Sequence, residues 1–200
     1  MKFGLNARII YNTGRGCPHM YHGFRAMLEY FTFDLKTVLV DSERKLKQAF
    51  LDDGDYALTM MICHGWGKAD SDAVLNWEVR RAVNEVEWES QELHLRPSNV
   101  GEYVRGGNGI LLFTACWSGK QVWADAFHRA GFSWYVGPEK TSDMFSAYQF
   151  VAAFIGYLMY EERDVSRRLV PVPEATELAR RIDDFWDGAN GFRAFGSGRP

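Results

Sequence analysis

Two hundred residues, 46% of them apolar, suffice for one α/β domain whose core needs no disulfide or metal to hold it. A net charge of −3, with acids and bases interspersed and no basic run, argues against a nucleic-acid surface. No apolar stretch reaches the roughly 20 residues of a membrane span, and the first residues are too polar for a signal peptide. A cytoplasmic protein with no membrane partner is the expectation.

In chain order, Leu5 to Tyr11 reads as a strand closed by Asn12-Thr13-Gly14. Met20, Phe24, Met27, Leu28 and Phe31 then recur at helical spacing. Thr37 to Val40 is a second strand, after which Asp41 or Ser42 caps a helix with Leu46, Ala49 and Phe50 inward. Tyr56 to Ile62 is an unbroken apolar strand that runs into Cys63-His64-Gly65. This β, α, β, α, β order predicts a parallel sheet with right-handed crossovers.

From Asp70 to Leu95 two periods compete. Leu75, Val79, Ala82, Val83 and Val86 fit a helix stripe, whereas Leu93 and Leu95 alternate as in a strand, so a helical or mixed piece followed by strands is expected. Pro97-Ser98 opens a short helix through Val104, and Gly106 to Gly109 turns into the strand Ile110 to Phe113. Val122, Trp123, Ala126, Phe127 and Ala130 form a helix stopped by Gly131. Phe132 to Val136 is another strand, and Ser142 or Asp143 caps a largely buried helix to Met159. Pro173 and Gly188 bracket a last helix with Leu178, Ile182, Phe185 and Trp186 inward. Residues 1–188 form a single domain on this reading, and 189–200 a mobile tail.

Two strand tips carry the chemistry. Ligands of open α/β sheets bind beyond the carboxyl ends of the strands, which is where both His64 and Cys116 fall. Adjacent parallel strands lie about 4.8 Å apart, so the two tips can share one cleft. A thiolate is a nucleophile, and an imidazole can take its proton and return it to a leaving group. Gly65, without a Cβ, lets a substrate approach its amide, and the Cys116 amide supplies a second oxyanion donor. Trp66 and Trp117 are candidate pocket walls, and Asp143 either lines a pocket for a basic side chain or caps its helix. The three cysteines are odd in number and form no C-x-x-C, which favours free thiols in a reducing compartment. Cys63 points into the core. Cys17, His19 and His22 lack a visible fourth ligand for a closed zinc site, so no metal and no cofactor is expected.

The order strand-His64-Gly65, then strand-Ala115-Cys116, resembles the caspase-like fold of clan CD cysteine peptidases, and within it the bacterial CHAT domains. Leu111 to Gly119, Ala130-Gly131 before a strand, Val136-Gly137, Asp143 and the aromatic-rich helix around Phe150 carry the likeness, over about residues 37 to 160. The resemblance implies a three-layer α/β/α sandwich with a mostly parallel sheet, His64 as general base, Cys116 as nucleophile, and a protein or peptide substrate. It also implies a separate regulatory protein, since no sensor module accompanies the domain. Thr114 occupies the place where metacaspases carry an acid and caspases a glutamine, so neither substrate preference transfers. Two other readings compete. One is a catalytically inactive caspase-like binding or scaffold module. The other is a glutaminase- or DJ-1-type hydrolase, disfavoured because His64 precedes the cysteine.

Overall fold

A computed structural model describes residues 5–14, 16–31, 33–51, 54–82, 88–159, 170–184 and 191–198. The elements in order are β1 (Asn6–Asn12), α1 (Cys17–Tyr30), β2 (Asp34–Val40), α2 (Glu43–Ala49), β3 (Leu58–Ile62) and β4 (His64–Trp66). They continue with β5 (Val74–Ala82), β6 (Trp88–Leu95), α3 (Val100–Tyr103), β7 (Ile110–Phe113), α4 (Gln121–Arg129), β8 (Trp134–Pro138), α5 (Met144–Leu158), α6 (Val172–Asp184) and β9 (Phe192–Gly196).

The main sheet has six strands in the order β2-β1-β3-β7-β8-β9. Every neighbouring pair is parallel except β8 with β9. Alternate residues of each strand face opposite ways, and both faces are covered. Ile10, Met61, Leu111, Phe113 and Tyr135 pack with Leu46 of α2, Val100 of α3 and Trp123 and Phe127 of α4. Ile9, Met60, Ile62, Leu112 and Val136 pack with Phe24 of α1, Phe150 and Phe154 of α5 and Ala175 of α6. That double burial is why β3 and β7 read as unbroken apolar runs. Helices on both faces and a mostly parallel sheet give a mixed α/β fold, as the sequence predicts.

Three stretches depart from expectation. The helix stripe from Leu75 is overturned: β4, β5 and β6 form a separate antiparallel sheet. Leu75, Trp77 and Val79 alternate into the core, with Glu78 exposed between them, so period-two packing wins over the helical spacing. In α6 the buried residues include Val172, Ala175 and Ala179, while Leu178 is only half-buried, because small side chains face α5. Phe185, Trp186 and Gly188 lie outside the described residues. Finally, the stretch expected to be a mobile tail contains β9, paired to β8 from Phe192 to Gly196. Its anchor is Phe192, fully buried and stacked 3.7 Å from the Phe150 ring. Among the described residues, no helix is long and apolar enough to cross a membrane.

Candidate active site

The site forms where β3 and β7, hydrogen-bonded neighbours, end on the same edge. After Ile62 the chain leaves the main sheet through Cys63, and His64–Trp66 becomes the edge strand β4 of the small sheet. After Phe113 the chain passes through buried Thr114 and Ala115 to half-buried Cys116. These two tips touch. A Cβ on Gly65 would overlap the carbonyl oxygen of Cys116 and lie 3.1 Å from its amide nitrogen. The glycine expected in the oxyanion hole is thus a place where no side chain fits.

The Cys116 loop is held in an unusual shape. Trp117 has φ 60°, the single non-glycine residue with positive φ among those described. For a bulky residue that conformation costs roughly 1–3 kcal/mol and persists only where its surroundings impose it. Here they do: Trp117 N–H donates to the Lys140 carbonyl at 3.1 Å, Gly119 N–H to Pro138 at 2.7 Å, and Ser118 N–H to Ala115 at 3.3 Å. Tyr135 adds a buried hydroxyl bond to the Ser118 carbonyl at 2.8 Å. The result presents the Cys116 sulfur to the Ser142 backbone, whose N–H donates to Sγ at 3.3 Å and whose carbonyl accepts from it at 3.6 Å. Among the described residues, the Cys116 N–H itself meets no acceptor, as an oxyanion donor requires.

Two residues that the sequence did not mark for the site take part in it. Lys120, on the Cys116 loop, donates from Nζ to the carbonyls of Gly67, Lys68 and Ala69 at 2.7, 2.8 and 2.8 Å, and lies 3.7 Å from Asp70. It clasps the turn after β4 to the turn after β7. Three carbonyls converging on a lysine leave no mark in a linear sequence. The other is Cys17, first residue of α1, whose Sγ lies 3.8 Å from His64 Nε2. Burial pushes its thiol up to about 12, so it stays protonated. Cys63, also buried, is pushed well up by the same desolvation and sits in the core as expected.

The remaining candidates are placed as follows. Trp66 is 62% exposed beside Gly65. The Trp117 ring lies under the Lys68 ammonium at 5.7 Å. Asp143 caps α5: Oδ1 accepts from Phe145 and Ser146 N–H at 2.9 and 3.0 Å, and Oδ2 from the Ser146 hydroxyl at 2.6 Å. The Ser146 hydroxyl is the main cause holding its carboxyl below the ordinary value, and these bonds commit the carboxylate to the helix rather than to a pocket. On the small sheet, His64, Asn76 and His94 stand in one cross-strand row. Glu92, bonded by His94 and Asn76, is held below its usual range.

Cys17 faces the core while His19 and His22 are exposed. Among the described residues, no group of three or more His, Cys, Asp or Glu side chains is placed to hold a metal ion. What the arrangement offers is a thiol with an N–H on its sulfur, an imidazole on the neighbouring tip, and an amide donor beside them. No protein-family model matches the chain, and no curated protein matches it.

Proposed function

We propose that this chain is a cysteine peptidase of the caspase-like type, a three-layer α/β/α sandwich in which Cys116 attacks the peptide carbonyl. His64 takes the thiol proton and later delivers it to the leaving amine. The acyl-enzyme is then released by water, with the Cys116 and Gly65 amides receiving the oxyanion in both steps. One observation carries the reading: Gly65 and Cys116 are in van der Waals contact at the adjacent tips of β3 and β7, in the order that the resemblance implies. Helices on both sheet faces support the sandwich. The substrate class is a protein or peptide segment, and a separate regulatory partner completes the proposal.

The non-catalytic scaffold is favoured by one specific feature: Cys116 Sγ bonds to Ser142 while His64 Nε2 lies against Cys17. A peptidyl acyloxymethyl ketone distinguishes the two readings. The wild-type chain is expected to be labelled at Cys116, with labelling abolished in Cys116→Ala and reduced about a hundredfold or more in His64→Ala, the usual worth of a general base. A wild-type chain that no member of a peptidyl-warhead panel modifies would establish the scaffold.

A further inference from the structure

We propose that Cys17 is the positioning residue of His64, accepting the Nε2–H in its sulfur lone pair so that Nδ1 is the atom that takes the Cys116 proton; this rests on the peptidase reading above. The geometry runs through the sheet order. β3 lies between β1 and β7, and His64 stands just beyond its end. The ring's Cδ2–Nε2 edge is turned to the β1 side. Nε2 is 3.8 Å from Cys17 Sγ, and Cδ2 is 3.5 Å from where a Cβ on Gly14 would stand. The opposite edge, carrying Nδ1, is therefore turned away from Cys17 and Gly14.

The sulfur is held where it must be. Gly16, at φ 87°, starts α1, and the Cys17 N–H donates to the Gly14 carbonyl at 3.1 Å. Pro18 in the first turn fixes the entry angle of the helix. Asn12, fully buried, accepts the Gly14 N–H at 2.8 Å and the Glu78 N–H at 3.1 Å, tying the loop to β5. A sulfur buried to 2% exposure keeps its proton and its lone pairs. It acts as a neutral acceptor rather than a rival nucleophile. When the Cys116 proton moves to Nδ1, the imidazolium keeps its Nε2–H on Cys17, and no other proton need move.

The test uses the full chain and needs no substrate. The rate of Cys116 carbamidomethylation by iodoacetamide is followed against pH by mass spectrometry, for wild type, Cys17→Ala, Cys17→Ser and His64→Ala. The titratable groups placed beside the ring are Cys17 from α1 and Glu78 from β5, with His94 further across the row and Cys116 on the neighbouring tip. Cys17→Ala is expected to slow the reaction about five- to tenfold at neutral pH, the worth of one hydrogen bond, and to move its rise to higher pH. Cys17→Ser, which keeps an acceptor, is expected to recover most of the rate. Nitrogen-15 NMR of the wild type should show His64 as the Nε2–H tautomer, a readout that stands even if the variants fail to fold. Superimposable profiles for wild type and Cys17→Ala, equal losses in the Ala and Ser variants, or an Nδ1–H tautomer would each overturn the positioning role. A His64→Ala profile identical to wild type would sink the dyad itself, a separate outcome.

Discussion

At the scale of single residues, the candidate site depends on what is missing from Gly65. Two strand tips approach until the backbone of one rests on the Cys116 carbonyl, and a single methyl group would force them apart. Gly65→Ala is therefore expected to lower the thermal midpoint by several degrees and to cut warhead labelling of Cys116 at least tenfold. A variant with wild-type labelling would show that the tips need not touch. His64 and Cys116 were legible because both stand just past apolar runs long enough to be strands. Lys120 and Cys17 were not, because each acts through a loop distant in sequence: Lys120 on 67–69, Cys17 on residue 64.

At the scale of elements, α5 matters most to the site, since its cap holds Ser142 beside the sulfur. Removing the Asp143 cap by Asp143→Ala is expected to cost about 1 kcal/mol. The carboxyl's folded pKa lies below its unfolded one. Its contribution is therefore complete above the unfolded value of about 3.9 and is lost as pH falls through the folded value. Thermal melts of wild type and variant should differ at neutral pH and converge in acid. A gap that stays constant into the acid range would refute the assignment. The cap was readable because Asp143 immediately precedes a run of helix-period apolar residues. The small sheet was not, since Leu75, Val79 and Ala82 satisfy helical spacing as well, and only the core beneath Leu75, Trp77 and Val79 selects alternation.

At the scale of the whole molecule, the parallel sheet follows from alternating strands and helices, and its order places β3 beside β7. That adjacency was inferred from the two apolar runs; the edge strand was missed. Phe192 sits in a short, glycine-flanked, charged stretch that has the composition of a tail, and only its seat against Phe150 and Val136 turns it into β9. Phe192→Ala is expected to cost about 3–5 kcal/mol in chemical denaturation, whereas a loss under 1 kcal/mol would mean the strand is not integral to the core.

β9 also orders events at the ribosome. A nascent chain exposes the candidate nucleophile and its imidazole well before residues 192–196 clear the exit tunnel, and until then the flank of β8 is an unpaired template that a neighbouring chain could occupy.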